Sequence, residues 1–202
     1  PRMSKYQICV SGAAAGETVN SAHDLAYQLG AEIAKQGHTL TTGATIGLPQ
    51  YAARGAKENG GLSIGFSPAA SIREHLKSYR LPVEEFDYIN LTCMDYVGRV
   101  VFLVRSSDAV ITIGGRMGSL HEFSTAVESH KICAVLLGSG GLADFLPALV
   151  DKIPTPNSKD IIYDTDPARL VDRVVKELDK KYFDFKDMLK SLEERPKKKS
   201  AG

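Results

Sequence analysis

The sequence predicts an α/β fold in which a mainly parallel sheet is covered by helices on both faces. Short apolar runs alternate with longer helical patterns from residue 6 to about residue 181, an order that is typical of parallel sheets. Three of the apolar runs end in glycine-rich turns, at the sheet edge where such folds bind ligands. The chain has 202 residues and no internal repeat, so we predict one domain over 4–181 and a charged tail over 182–202.

The predicted strands are short and apolar, and turn residues follow most of them. In chain order they are YQICVSG, HTLTTG, LSIGFSP, YINLT, DAVITIG, ICAVLLG and DIIYD. Cys9 and Cys133 fall inside two of these runs, and we expect both thiols to be buried as small hydrophobic groups.

The predicted helices occupy segments between the strands. In the first of them Leu25, Leu29 and Ile33 recur at helical spacing, and Gly37 supplies a stop signal. Helices are predicted over 21–36, 46–61, 94–105 and 119–129, and from Pro167 onward. We predict a surface excursion with a short helix over 69–85, and a loop around GSGG after the sixth strand.

Composition and charge exclude several classes of protein. The formal net charge of +1 gives no strong field for nucleic acid or an anionic membrane, so we expect neither as a partner. The three cysteines lie far apart without CxxC spacing, which argues against a disulfide scaffold or a zinc site. No apolar stretch reaches the roughly 20 residues that a membrane-spanning helix needs. We therefore expect a cytoplasmic protein.

The three glycine-rich turns are SGAAAGE, TGATIGLP and GGRMGS, and each leads from a predicted strand into a predicted helix. The first N–H groups of a helix are unpaired and its dipole is positive at that end, so both attract anions. Glycine lets the backbone approach a phosphate closely. One such turn is weak support, but three at one edge of a sheet predict a shared ligand that carries phosphate.

Other glycine-loop and metal motifs fail on their spacing. The first turn is GxxxG rather than GxGxxG, and the second strand ends in LTT without an acid for a ribose, which excludes the dinucleotide fingerprint. No glycine-rich turn continues into Gly-Lys-Ser/Thr, which excludes a Walker A loop. Thr125 stands where a zinc protease would need its second histidine. A mononucleotide or a similar phosphate compound is the ligand that fits.

Arg99 is the one charged residue in the helical run YVGRVVFLV. Such an apolar helix is expected to be buried on most sides, and a buried guanidinium is costly unless it is paired. Two interpretations stay open. Either Arg99 forms an ion pair with Asp95 one helical turn earlier, or its side chain points into the ligand cleft and its guanidinium donates hydrogen bonds to a ribose or phosphate.

Glu122 also has two interpretations. Ser119 and Glu122 have the spacing of a capping box, in which the glutamate bonds back to the amide of the helix N-cap. A helix cap stabilises a protein by about 1 kcal/mol, so this interpretation explains Glu122 without a catalytic role. Alternatively, the carboxylate faces a ligand that the glycines hold.

Taken together, these residues resemble the LOG ("lonely guy") family, whose members were long described as lysine decarboxylases. The family motif PGGxGTxxE reads GGRMGSLHE over 114–122, and Arg99 stands at the family's interval before Ser-Asp-Ala over 107–109. The family turn GGGxxGLM is similar to TGATIGLP over 42–49. The chain departs from the family where Gly114 replaces the proline, Arg116 replaces the second glycine and Val100 replaces a lysine.

A second resemblance concerns the segment RGAKENGGLSIGFSPA over 54–69. It is more similar to a sister branch, the molybdenum-cofactor carrier-like proteins, which bind a phosphate-bearing pterin. That branch implies the alternative function, a non-catalytic carrier or binding protein for molybdenum cofactor or another phosphorylated ligand.

The LOG resemblance implies a Rossmann-like three-layer sandwich, with helices on both faces of the sheet. It implies hydrolysis of the N-glycosidic bond of a nucleoside 5′-monophosphate, which gives a free base and ribose 5-phosphate. It also implies a homodimer or higher homo-oligomer, because LOG sites lie close to a dimer interface. The reaction requires no metal ion and no cofactor, and we expect none.

The same resemblance assigns roles to residues. Glu122 would stabilise the oxocarbenium-like ribose while Arg99 positions the ribose or phosphate. The phosphate is expected to contact the turn residues Gly115, Arg116, Met117, Gly118 and Ser119. The sugar or base is expected to lie against Gly12, Ala13, Ala14, Thr42, Gly43, Gly47 and Met94. We expect His121 to point away from the cleft, since consecutive residues of a helix face different directions.

Overall fold

The computed structural model describes residues 6–156 and 158–182. Its strands are β1 (Gln7–Gly12), β2 (Thr39–Thr42), β3 (Ser63–Ser67), β4 (Tyr88–Leu91), β5 (Ala109–Ile113), β6 (Ile132–Leu136) and β7 (Ile162–Asp164). Its α-helices are α1 (Glu17–Lys35), α2 (Leu48–Glu58), α3 (Ile72–Lys77), α4 (Asp95–Ser106), α5 (Met117–Glu128), α6 (Gly141–Lys152) and α7 (Pro167–Lys181). A 3-10 turn over Ser158–Asp160 precedes β7.

The strands form one seven-stranded sheet in the order β4-β3-β2-β1-β5-β6-β7, and every pair within it is parallel. Parallel strands need helical crossovers, and those helices cover both faces of the sheet. The predicted α/β class, a Rossmann-like three-layer sandwich, is therefore confirmed.

Two buried clusters fill the space between the sheet and its helices. The first lies under α1, α2 and α7 and includes Leu29, Leu48 and Leu170. The second lies under α4, α5 and α6 and includes Leu103, Phe123 and Leu146. Strand β5 is buried along its whole length because both clusters press on it. Cys9 and Cys133 are buried as expected.

The order of the strands reverses between β1 and β5. From β1 the chain proceeds outward through β2, β3 and β4, and then returns to place β5 on the other side of β1. Gly12 and Ile113, the last residues of these two strands, are directly paired. The turns that follow β1 and β5 therefore open side by side, at the kind of switch point where α/β sheets bind ligands.

Close packing between α1 and α2 depends on glycine. A Cβ atom on Gly30 would lie 1.9 Å from the carbonyl oxygen of Ala52, and one on Gly55 would lie 2.0 Å from that of Tyr27. The two helix backbones touch at these points, which fixes α2 and the turn that precedes it.

The seven predicted strands are all present, but one helix was not predicted. The segment around GSGG was expected to be a loop, and it contains α6. Gly141 opens this helix at a φ of 57° and Pro147 lies inside it, so the usual sequence signals for a helix are missing. The carboxylate of Asp144 organises its start by accepting hydrogen bonds from the N–H groups of Gly138 and Gly140, at 2.6 and 3.1 Å.

Helix boundaries also differ from the expected ones. The fifth helix begins at Met117 rather than at residue 119, and the first begins at Glu17 rather than at residue 21. The predicted excursion over 69–85 contains α3, a short helix as expected. The predicted tail lies outside the described residues from residue 183 onward. In the part of the chain that the structure describes, no helix is long and apolar enough to span a membrane.

Candidate functional site

A cleft of about 230 Å³ opens at the carboxyl ends of β1 and β5. Its floor and walls come from the turns after β1, β2 and β5 and from the first turns of α4 and α5. The residues that line it are Val10, Gly12, Ala13, Ala14, Gly43, Thr45, Pro49, Tyr96, Val97, Arg99, Val100, Arg116, Gly118, Ser119, His121 and Glu122. The three glycine-rich turns predicted to share a ligand thus meet at one cleft.

Glu122 and Arg99 face each other across the base of this cleft. Arg99 Nη2 lies 3.7 Å from Glu122 Oε1, and the two side chains are only 6% and 10% exposed. The other carboxylate oxygen, Oε2, accepts a hydrogen bond from the hydroxyl of Ser11 at the end of β1. A carboxylate this well buried needs such partners, since an unpaired one would be costly.

The capping-box interpretation of Glu122 is wrong. Helix α5 begins at Met117, so Ser119 lies within its first turn instead of at the N-cap. The N-cap is Arg116, and it makes no side-chain capping hydrogen bond. Glu122 therefore points to Ser11 and Arg99, not to the helix backbone.

The alternative partner for Arg99 is wrong as well. The carboxylate of Asp95 accepts hydrogen bonds from the hydroxyl of Tyr79 at 3.3 Å and from the N–H of Tyr96 at 2.7 Å. Arg99 instead donates a long hydrogen bond, 3.5 Å, to the carbonyl oxygen of Phe66. Its Nε has no partner among the described residues. An N–H donor of Arg99 is therefore still available for a ligand at the buried end of the cleft.

Gly43 makes room for the Arg99 guanidinium. A Cβ atom at this position would lie 1.6 Å from Arg99 Nη1 and 2.6 Å from Cζ, far inside contact distance. The neighbouring Gly47 has a φ of 80°, and a Cβ atom there would lie 2.4 Å from the carbonyl oxygen of Ala13. The N–H of Leu48 donates to that same oxygen at 2.9 Å, which joins the turns after β1 and β2.

The turn after β5 is held by the segment that leads into α6. The N–H of Gly114 donates to the hydroxyl of Ser139 at 2.8 Å. The carbonyl oxygens of Gly114 and Gly115 accept from the first N–H groups of α6, on Ala143 and Leu142, at 2.9 and 3.1 Å. A proline at 114 could not make the first bond, so the glycine that departs from the LOG motif has a partner of its own here.

The cleft carries both signs of charge. Arg116 is exposed at its rim and forms no ion pair within residues 6–156 and 158–182. The first N–H groups of α5 have no intrahelical acceptor, so together with Arg116 they offer positive potential beside the Glu122 carboxylate. Behind the pair, burial raises the pKa of the Cys9 thiol well above its usual value, and Glu122 adds to this shift. Cys9 is therefore a packed hydrophobic group and not a nucleophile.

Most of the predicted site residues come together in this cleft. Those that line it are Gly12, Ala13, Ala14, Gly43, Arg99, Arg116, Gly118, Ser119 and Glu122. Five others do not line it: Thr42, Gly47, Met94, Gly115 and Met117. Thr42 is buried beneath its turn, where its hydroxyl accepts from the N–H of Ala44 at 3.1 Å. Met94 and Met117 are turned to solvent at the starts of α4 and α5, 49% and 78% exposed.

Seven residues that line the cleft were not predicted as site residues: Val10, Thr45, Pro49, Tyr96, Val97, Val100 and His121. Ser11, which lies beside the cleft, was not predicted either. Ser11 holds Glu122, but in the sequence it is a serine at the end of an apolar strand, without any distinguishing signal. The prediction that His121 points away from the cleft is wrong, since it lines the cleft. Among the described residues, no group of three or more His, Cys, Asp or Glu is arranged to hold a metal ion.

Comparisons with known proteins place the chain in a family and confirm its fold. Residues 5–171 match the model of the SLOG cluster4 family. An uncharacterized protein of Archaeoglobus fulgidus is 34% identical over 134 residues, which cover 66% of this chain and 82% of that protein.

Several solved structures have the same fold. The molybdenum cofactor binding protein from Rippkaea orientalis is 28% identical with a TM-score of 0.68, covering 87% of this chain and 98% of that one. The Moco carrier protein from Chlamydomonas reinhardtii is 24% identical with a TM-score of 0.71, covering 88% and 99%. The structural genomics target TM1055 is 22% identical with a TM-score of 0.73, covering 87% and 99%. The last two likenesses show the fold alone.

Proposed function

The chain belongs to the SLOG cluster4 family, and from that premise we propose that it hydrolyses the N-glycosidic bond of a nucleoside 5′-monophosphate. The products are a free base and ribose 5-phosphate. The observation that carries the proposal is the buried Glu122 carboxylate, which lines the cleft while Ser11 and Arg99 hold its two oxygens. The predicted resemblance to LOG proteins and to their carrier-like branch agrees with this family.

The phosphate lies at the turn after β5 in this proposal. The N–H groups at the start of α5 and the hydroxyl of Ser119 bind its oxygens, and Arg116 adds a charge-assisted contact from the rim. Apart from its own helix backbone and chain neighbours, no atom lies within 4 Å of the place where a Cβ on Gly118 would be, so a ligand can approach the backbone there. The sugar then extends toward the base of the cleft, where Glu122 and Arg99 lie.

The chemistry follows from the charge that develops on the ribose. As the bond between C1′ and the base nitrogen lengthens, positive charge builds on the sugar, and a carboxylate beside C1′ stabilises it. Glu122 also accepts the proton of the water that attacks C1′. Arg99 keeps the carboxylate in place, and its unpaired Nε is a donor for a sugar or phosphate oxygen.

A panel of nucleoside 5′-monophosphates tests the proposal, with chromatography for the released base. The wild type should release base from at least one member, and Glu122→Gln should lower the rate by about 10²–10⁴-fold, the usual contribution of a positioned acid or base. Glu128→Gln makes the same change on an exposed residue of the same helix and should retain the wild-type rate. Absence of base release by the wild type, or equal rates for Glu122→Gln and wild type, would contradict the proposal.

A second candidate is a carrier of a phosphorylated pterin without turnover. The molybdenum cofactor binding protein at 28% identity over nearly its whole length favours it. Tight binding of purified molybdenum cofactor, without base release from any nucleotide, would favour the carrier.

Association into a homodimer and location in the cytoplasm stay predictions. The outward side of α4 supports association, since it exposes apolar side chains beside the cleft: Tyr96, Val97, Val101 and Phe102. Light scattering on the purified protein would determine the oligomeric state.

A further inference from the structure

We propose that His121 is the general acid of this cleft, which protonates the departing base; this inference rests on the proposed N-glycosidic hydrolysis. When the bond to C1′ breaks, its electron pair stays on the base nitrogen. A nucleobase leaves poorly as an anion and well as a neutral, protonated molecule, so a proton donor near the base contributes to the rate. Glu122 and Arg99 act on the sugar side and leave that requirement unmet.

Among the titratable side chains that line the cleft, elimination leaves His121 as the proton donor. Its described lining contains five titratable side chains: Tyr96, Arg99, Arg116, His121 and Glu122. The two guanidinium groups do not release a proton in proteins. Glu122 accepts hydrogen from Ser11 and faces Arg99, so it serves as an acceptor. Partial burial raises the pKa of the Tyr96 hydroxyl above its usual value, which makes it a poor acid near neutral pH.

The position of His121 suits a proton donor. It precedes Glu122 on α5, and both residues line the cleft from this one helix. The residue is half-buried, and its ring makes no hydrogen bond with the described part of the chain. Both ring nitrogens are therefore available to a ligand, and a protonated imidazole can donate from either of them.

The step balances with one water molecule. The bond between C1′ and the base nitrogen breaks, and the nitrogen takes a proton from the His121 imidazolium. The water oxygen bonds to C1′ and its proton passes to Glu122. Solvent then carries a proton from Glu122 back to His121, so each turnover consumes the nucleotide and one water and yields free base and ribose 5-phosphate.

Two substrates that differ in their leaving groups test the role. One is the nucleoside 5′-monophosphate that the wild type cleaves fastest, and the other is 4-nitrophenyl riboside 5-phosphate, whose nitrophenolate leaves without protonation. His121→Gln should lower kcat on the nucleotide by about 10²–10⁴-fold, with KM nearly unchanged. On the nitrophenyl substrate His121→Gln should match the wild type, whereas Glu122→Gln should be impaired on both.

The remaining outcomes overturn the inference in distinguishable ways. Equal losses on both substrates would mean that His121 binds the phosphate or supports the fold. An unchanged rate on the nucleotide would mean that solvent supplies the proton. If the wild type cleaves neither substrate, the proposed function fails and this role fails with it. His23→Gln, the same change outside the cleft lining on α1, is the control and should match the wild type on both substrates.

Discussion

Replacement of Gly43 by alanine is the most informative perturbation of the cleft, because it acts on Arg99 without altering a charge. Gly43 does not have a positive φ angle, so its backbone conformation is open to alanine. The added methyl group would lie 1.6 Å from Arg99 Nη1, and all three nearest atoms belong to the same guanidinium. Carbon atoms in contact are separated by about 3.5–4.0 Å, so the guanidinium must retreat by roughly 2 Å.

The magnitude follows from what this retreat disturbs. Arg99 is 5% exposed, and insertion of a methyl group into a packed site costs about 1–3 kcal/mol. Its distance of 3.7 Å to Glu122 also changes, which weakens a buried ion pair. A displacement of even 1 Å in a catalytic constellation costs about 10²-fold in rate, so we expect a loss of at least that size in base release.

A double-mutant cycle in urea isolates the clash. Gly43→Ala should lower the free energy of unfolding by about 1–3 kcal/mol in the wild type. In the Arg99→Ala background the methyl group meets open space, and the same change should be neutral or stabilising by up to about 1 kcal/mol. Equal costs in both backgrounds would contradict a clash with Arg99, because they would show that the methyl group disturbs something else.

Three further predictions concern the scaffold. Gly30→Ala should lower the free energy of unfolding, measured in urea, by about 3 kcal/mol, because the carbonyl oxygen of Ala52 would lie 1.9 Å from the new Cβ and belongs to a rigid helix backbone. A loss of less than about 0.5 kcal/mol, the size expected of an ordinary surface substitution, would contradict this prediction. Hydrogen bonds from Arg169 hold the pKa of the Asp164 carboxyl well below its usual value. Asp164→Asn should therefore destabilise the protein at neutral pH, and the difference from wild type should shrink as pH falls below about 4 in thermal unfolding scans; a constant difference would contradict the linkage. Thiol reagents should label Cys93, the exposed cysteine, in the native protein and all three cysteines only after unfolding; labelling of the buried pair at the same rate would contradict the packing.

The fold was predictable because local patterns and global architecture agree. Each strand is a short apolar run bounded by turn residues, and strict alternation with helices leaves few arrangements other than a parallel sheet. Helix α6 was missed where that agreement fails. Gly141 and Pro147 are poor helix residues, and the helix depends instead on Asp144 and on contact with the turn after β5.

The sequence identified many residues of the site, but it did not identify their contacts. Arg99 stood out as one charge in an apolar helix, but its partner was ambiguous because Asp95 is one turn away in sequence and Glu122 is far away. Only the packing of α4 and α5 against β1 brings Glu122 to Arg99. The capping-box spacing around Ser119 was misleading for a related reason, since the helix begins at Met117. The same tertiary packing explains why His121 lines the cleft.

In the proposed binding mode one nucleotide lies between the turn after β5, which binds its phosphate, and Glu122, which faces its ribose. The most direct test of this binding mode is a crystal structure of Glu122→Gln, which should bind without turnover, in complex with a nucleoside 5′-monophosphate. We expect the phosphate at the N–H groups that begin α5, with Arg116 and Ser119 beside it, and C1′ of the ribose facing the side chain at position 122. A phosphate bound elsewhere, or a ribose whose C1′ points away from position 122, would contradict the account.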